Sequence, residues 1–358
     1  MEVRSFTVLA INPGSTSTKT SIFKDEEELA SSVIRHGRDD FAGCSNLLDQ
    51  MDIRMAQVNR MLEEHSIQTN ELDAVVGRGG LIRPISSGTY EVNENMAADL
   101  STGWASSHAS SLGGLMAREI AVKNSIPAFI VDPVVVDELE PIARISGIPG
   151  IKRRSIFHAL NAKSVARLCA AELGKRYEDC RLVVAHMGGG ISVGAHRYGR
   201  VIDVNDALCG EGPFSPERCG GLPVEQVVNL CFSGDYSKRD VTAFATKTGG
   251  MAAYLGVCDL RVAEEMIAGG DDNARLVVDA MAYQVSKEIG AMASVLEFDV
   301  DRIALTGGLA YSKRFTGIIE GSVGRISGVS IYPGEDEMRA LAMGALRVLR
   351  GEEKAAVY

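Results

Sequence analysis

Three short turns in this chain combine small residues with polar donors, a composition suited to holding phosphate. The first, Asn12-Pro13-Gly14-Ser15-Thr16-Ser17-Thr18-Lys19, offers hydroxyls and one cation after an apolar run. Backbone N–H groups approach a phosphate closely only where side chains are this small, and Lys19 adds charge. The same segment also reads as an ordinary polar hairpin turn. It is not a Walker A loop, because the Gly-x4-Gly-Lys-Ser/Thr spacing is missing and a strand pattern follows where a helix should. The second turn, His186-Met187-Gly188-Gly189-Gly190-Ile191-Ser192, suits the other side of a polyphosphate. Its Gly-x-Gly-x-x-x-Gly spacing misses the dinucleotide fingerprint, and a strand again follows. The third, Thr306-Gly307-Gly308-Leu309-Ala310, comes directly after a strand pattern, where bare backbone lets a base or ribose pack.

Arg78, in Val-Val-Gly-Arg-Gly-Gly, and Arg218, in Pro-Glu-Arg-Cys-Gly-Gly, stand among small residues. A pair of guanidinium groups suits a transferring phosphoryl group, whose charge spreads over three equatorial oxygens; the bland account is arginines in surface turns. His108 and His158 fall in or beside helical patterns, where a lone histidine is usually structural. Asp132 ends the strand Phe129-Ile130-Val131 and suits positioning a cation or a histidine, or capping a turn. Glu335-Asp336-Glu337 precede the last helical pattern, where acidic groups favour a helix N-terminus and also suit Mg2+.

The elements that must position these residues repeat. Residues 7–23 read as strand, Gly/Ser/Thr turn, strand; residues 182–203 read as strand, Gly-rich turn, strand, turn at Tyr198-Gly199, strand. They lie about half a chain apart, which suggests duplication of one βββ-αβ unit. Helical spacing places Leu48, Met51, Met55, Val58 and Leu62 on one face over 46–65. It places Val277, Met281, Val285, Ile289, Met292 and Leu296 on one face over 272–297. Shorter helices are expected at 111–124, 155–174, 224–232 and 336–350, and strands at 73–76, 128–131, 302–306 and 329–332. Strands alternating with helices argue for α/β layers, with a break near the Pro/Gly-rich 141–150.

The 358 residues suffice for two domains with their own cores. A net charge of −10 argues against nucleic acid and acidic membranes as partners. No apolar run approaches the ~18 residues that span a bilayer, and the start lacks a signal-peptide pattern, so the cytoplasm is the expected compartment. The seven cysteines contain no Cys-x-x-Cys pair, which disfavours a zinc site or a disulfide framework.

In their order, INPGSTSTK, VVGRGG with LIRPISSGTY, FHALNAK, GGGIS, PFSPERCGGLP and YPGEDEMRALA resemble the acetate and butyrate kinase (acetokinase) family, and its butyrate kinase members more closely. The likeness runs from about Thr7 to Leu349. It implies the duplicated α/β fold of actin, Hsp70 and sugar kinases (ribonuclease H-like), with two domains and an interdomain cleft. Residues 1–148 with about 337–358 would form the N-terminal lobe on the acyl and phosphate side. Residues 149–336 would form the C-terminal lobe, on the nucleotide side, with the expected oligomer interface.

The resemblance also implies roles. Asn12, Ser15, Ser17 and Lys19 match the first phosphate loop, with Asn12 near a metal. Arg78 and Arg218 match the substrate arginines, Asp132 the catalytic aspartate and His158 the histidine on the γ-phosphoryl group. His108 lines the acyl site, with Phe157 beside it. His186, Gly188, Gly189 and Gly190 match the second phosphate loop. Asp259 and Arg261 match the adenosine stretch, and Gly307 and Gly308 the adenine-side turn. Where acetate kinases carry apolar walls, Gly80 and Ser107 stand here, so a longer acyl chain is expected. Counting from Pro333 makes Asp336 the metal carboxylate, with Glu335 and Glu337 as alternatives.

The implied activity is ATP-dependent phosphorylation of butyrate or a similar short or branched fatty acid. It uses Mg2+ or Mn2+, gives acyl phosphate and ADP, and runs in a homo-oligomer. A sugar kinase and a nucleotide-dependent binding module of the same fold are the rivals.

Overall fold

A central strand buried on both faces needs an unbroken apolar run, and Val8-Leu9-Ala10-Ile11 and Leu182-Val183-Val184-Ala185 each supply one. In a computed structural model, which describes residues 4–37, 39–102 and 108–358, both runs sit inside sheets. Ser107 lies outside the described residues. The chain divides into one unit of Met1–Val136 with Asp336–Tyr358 and a second of Asp137–Glu335.

The first unit holds β1 (Thr7–Pro13), β2 (Ser17–Lys24), β3 (Glu27–Arg35), β4 (Ala74–Gly77), β5 (Thr89–Glu91) and β6 (Ala128–Val131). The second holds β7 (Arg181–Met187), β8 (Ile191–Arg197), β9 (Arg200–Val204), β10 (Arg302–Gly307) and β11 (Val329–Pro333). Their orders are β3-β2-β1-β4-β6-β5 and β11-β10-β7-β8-β9. Three antiparallel strands followed by two parallel additions occur in both, so the duplication expected from the turns is real. The additional β5 pairs antiparallel with β6.

The registers put Asn12 opposite Lys19 and His186 opposite Ser192, each one residue short of the last pair before its turn. Asn12 and His186 are therefore counterparts. The helices complete each layer by exchange. Helix Ala159–Glu172, which follows β6, packs on β7 and β10; helix Glu337–Leu349, which follows β11, packs on β1, β4 and β6.

Most expected elements are present, with the long helix at Asp272–Val295. It buries Val277, Met281, Val285 and Ile289 in the second unit's core, among Ile303, Phe315 and Ile319. The polar edge strand β3 and the helices Lys238–Thr246 and Lys313–Val323 were not expected, although the last buries Phe315, Ile319 and Val323 at helical spacing. The expected break at 141–150 moves to Val136/Asp137. Asp137 pairs with Arg144, Glu138 binds the buried Lys163 ammonium and Val201 N, and Glu140 N donates to Ile202 O, so this stretch belongs to the second unit. All seven thiols are free, and among the described residues no helix is long and apolar enough to cross a membrane.

His196, fully buried on β8, shares a 2.7 Å hydrogen bond with the Tyr177 hydroxyl. Burial first, and then the Lys163 and Arg167 charges, hold its imidazole pKa well below the ordinary value. The unfolded chain therefore binds a proton near pH 6.5 that the folded chain refuses. Stability is complete above that pH and falls below it, by about 1.4 kcal/mol per pH unit for this one group. Urea titrations between pH 6.5 and about 5 should show that His196→Gln removes this part of the slope.

Candidate functional site

In the first unit, β1 ends at the turn 14–17, where Gly14 N donates to Ser17 O at 2.7 Å. Ser15, Thr16 and Lys19 are exposed, while Thr18 and Thr20 point inward, as strand alternation requires. Behind the turn lies Arg54, whose guanidinium donates to Gly14 O and Ser17 O. At the mouth of β1 the Asn12 side-chain amide donates to Glu337 Oε2 at 2.6 Å. The other oxygen of Glu337 is paired with Arg78, and both side chains are mostly buried. Arg78 reaches that point because its own N–H continues the ladder to Ile11 O at 2.8 Å. Asp336 is the helix cap, accepting from Arg339 N at 3.3 Å. Glu337, an alternative in the sequence, is thus the carboxylate that joins Asn12.

The glycines flanking Arg78 have a different purpose from the one expected. A Cβ at Gly77 would lie 2.0 Å from Gly113 O, and one at Gly80 would lie 2.0 Å from Ser111 Oγ. These glycines let helix Ser111–Asn124 pack directly on the backbone of 77–80. The expectation that Gly80 leaves room for a longer acyl chain is therefore corrected: Ser111 fills the space. His108 precedes that helix with Nδ1 2.7 Å from Ser110 Oγ. Its pKa is lowered, by desolvation first and by the Arg78 charge second. Asp132, buried just past β6 with φ of 38°, accepts from Ser87 Oγ at 2.6 Å and Gly88 N at 2.9 Å. Its carboxylate anchors the 86–88 segment.

In the second unit His158, at the start of helix Ala159–Glu172, stacks on His186 with centroids 3.8 Å apart and planes at 13°. His186 Nδ1 meets Asn161 Oδ1 at 2.7 Å, while Nε2 lies 3.1 Å from Glu335 Oε1. His158 Nδ1 meets Ser192 Oγ at 3.2 Å, and the neighbouring Phe157 is buried. Arg218 lies against the glycine turn: a Cβ at Gly190 would fall 1.6 Å from its NH1 atom. Arg218 N donates to Ser215 Oγ, which donates to Gly189 O, and NH1 donates to Ala207 O at 2.5 Å. Burial lowers the Arg218 pKa, opposed by the acidic Glu217 and Asp206 and by Cys209.

A pocket of about 660 Å³ opens beside this turn, lined by Gly188, Gly189, Glu217, Asp259, Arg261, Gly308 and Tyr311 among others. It gathers five residues that the sequence assigned to nucleotide. Gly308 has nothing within 4 Å of its Cβ position, so its backbone is bare. Gly307 is structural instead: φ is 89° and a Cβ would sit 2.4 Å from Met187 O. Asp259 caps helix Leu260–Ala268 and pairs with Arg261 at 2.6 Å. Glu217, Glu264, Tyr311 and Ser312 also line the pocket and were missed, since nothing in their spacing sets them apart. Arg54 was missed too, although it left a signal: it is a charge on the apolar face of its helix, between Met51 and Val58.

Residues 148–317 match the sequence profile of the acetokinase family. The fold is similar to acetate kinase of Porphyromonas gingivalis, with TM-score 0.77, 18% identity, 96% of this chain covered and 100% of that one. It is also similar to a propionate kinase of Francisella tularensis subsp. tularensis SCHU S4, with TM-score 0.71, 16% identity, 95% of this chain and 98% of that one. A ROK hexokinase of Thermus thermophilus matches at TM-score 0.51 and 14% identity, over 97% of this chain and 100% of that one. The architecture is thus the duplicated actin-like, sugar-kinase-like α/β fold.

The two glycine environments separate in a test. Gly307→Ala forces a Cβ into backbone at positive φ and should cost about 2 kcal/mol or more in a denaturant titration. Gly190→Ala meets the mobile end of Arg218, so the protein should still fold, and a crystal structure should show the guanidinium displaced from Ala207 O.

Proposed function

We propose that this protein transfers the γ-phosphoryl group of ATP to the carboxylate of a short fatty acid, with butyrate as the preferred substrate. The observation that carries the reading is the polyanion pocket of the second unit. There the Gly188–Gly190 turn, the stacked histidines and the partly buried Arg218 stand beside a cavity of about 660 Å³ with a bare glycine in its wall. Asp259, Arg261 and Gly308 serve the adenosine side, with Gly307 shaping the turn behind them. His186 and the glycine turn serve the phosphates, together with Asn12, Ser15, Ser17 and Lys19.

A fatty acid has a pKa near ~4–5, like a Glu side chain, and is already ionised at neutral pH. No general base is needed. The obstacle is repulsion between the carboxylate and the γ-phosphate. Arg78 takes the carboxylate, with His108 beside it in its neutral form, and Arg218 and His158 take the equatorial oxygens of an in-line transfer. Asp132 acts through the segment it anchors. The oxygen donors Glu337 and Asn12 fit a hard divalent cation that is otherwise bound by water and phosphate. Mg2+ bound by these two side chains would neutralise charge on the phosphates.

The choice of butyrate rests on the motifs shared with butyrate kinases. Acetate or propionate is the second reading, favoured by Ser111 filling the space beside Gly80. A hexokinase-like reaction needs a carboxylate free to accept a hydroxyl proton, and the Asp132 carboxylate is held by Ser87 and Gly88.

Hydroxamate trapping of the product over straight and branched acids of two to six carbons tests the reading. Two extra buried methylenes should favour butyrate over acetate by roughly tenfold or somewhat more in kcat/KM. Sugar phosphate with no hydroxamate signal would overturn the proposal. Arg218→Ala should lower kcat by roughly 10²–10³ while the circular dichroism spectrum is unchanged; near-normal turnover would remove Arg218 from the mechanism.

A further inference from the structure

Among the described residues Arg54 is a cation without a counter-ion. It lies on helix Met51–Glu64, fully buried, on the face that carries Met55, Val58 and Met61. Its Nε and NH2 donate to Gln50 Oε1, at 3.2 and 2.9 Å. NH1 donates to Ser17 O at 3.1 Å and Thr18 Oγ1 at 2.8 Å, and NH2 also donates to Gly14 O at 3.0 Å. Phe41 covers one face of the guanidinium, 4.9 Å from its carbon. Every acceptor is neutral, and among the described residues Arg54 makes no ion pair. Burial pushes its pKa down to about 10, so it is still charged at neutral pH.

A buried charge that lacks an opposite charge is costly, and proteins that keep one generally use it. The position of this one indicates the use. The carbonyls of Gly14 and Ser17 turn inward to the guanidinium, and His36 N takes the carbonyl of Thr16 at 2.8 Å. In a trans peptide the N–H points opposite the C=O, so the inward carbonyl of Gly14 turns the N–H of Ser15 outward. Among the described residues the N–H groups of Ser15 and Thr16 have no partner within the protein, and both residues are exposed. The turn thus presents the Ser15 N–H outward, next to the unpartnered N–H of Thr16 and backed by an uncompensated positive charge, as in an anion-binding nest.

We propose that Arg54 is the positioning residue of the first phosphate loop. It holds the Gly14 carbonyl inward so that the Ser15 N–H meets a polyphosphate, and that polyphosphate supplies its missing counter-charge. The inference rests on the reading of this turn as a phosphate site, and Arg54 itself touches no reacting atom.

Arg54→Gln removes the charge and keeps a short polar side chain; Arg54→Lys keeps the charge and loses the planar fork. Tripolyphosphate is the probe. It should raise the melting temperature of the wild-type protein, raise that of Arg54→Lys less, and leave that of Arg54→Gln nearly unmoved. The KM for ATP should rise tenfold or more in Arg54→Gln, with the KM for the fatty acid within about twofold. A folded Arg54→Gln that responds to tripolyphosphate and ATP like the wild type overturns the proposal. If that variant does not fold, hydrogen exchange on the wild-type protein decides: tripolyphosphate should slow the amide of Ser15, and unchanged exchange there refutes the inference. A protein that phosphorylates no carboxylate yet shows this protection loses the functional reading and keeps Arg54's role. Carboxylate phosphorylation with an unchanged KM for ATP in Arg54→Gln does the reverse.

Discussion

A guanidinium packs on each of the 14–17 and 188–190 turns, Arg54 fully buried and Arg218 partly so, and both hold backbone carbonyls beside them. Arg54 draws the carbonyls of the 14–17 turn inward, and Arg218 lies against Gly190 with a hydrogen bond to Ala207 O. A guanidinium carries five donors in a rigid plane, so it orients backbone as well as supplying charge. A lysine ammonium offers the charge without the plane. At Gly190 the arginine's NH1 occupies the place that a Cβ would take.

The duplicated sheets have kept their topology while their strand ends have diverged. Asn12 and His186 stand at equivalent registers, one bonded to a carboxylate from the last helix and the other stacked on a second histidine. An amide and a carboxylate are hard oxygen donors, suited to a divalent cation; paired imidazoles and bare N–H groups suit phosphate oxygens. The same strand-turn-strand frame therefore presents two kinds of chemistry, set by one residue in each first strand and by what packs on it.

Glycine is used in three distinct ways. At Gly77 and Gly80 it admits a helix backbone, at Gly307 it allows a left-handed φ against Met187, and at Gly308 it leaves a pocket wall bare. Only the last opens space to a ligand. Small residues beside Arg78 are thus no measure of open space, because a neighbouring helix can claim that room first.

The turns, the strands flanking them and the long helix were legible because they depend on local chemistry: small polar residues punctuate β-branched runs, and apolar spacing follows the 3.6-residue period. From these the duplicated α/β architecture and the three glycine turns could be read without coordinates. Tertiary packing alone decided which acidic residue meets Asn12, since Glu337 lies 325 positions away in sequence and its neighbours Glu335 and Asp336 are chemically alike. It alone filled the space beside Gly80, and it alone turned Arg54 from an odd charge in an apolar stripe into a donor to the carbonyls of the 14–17 turn. The reason is physical: spacing along a strand or helix fixes which face a residue occupies, whereas its partner across the fold depends on how distant segments pack.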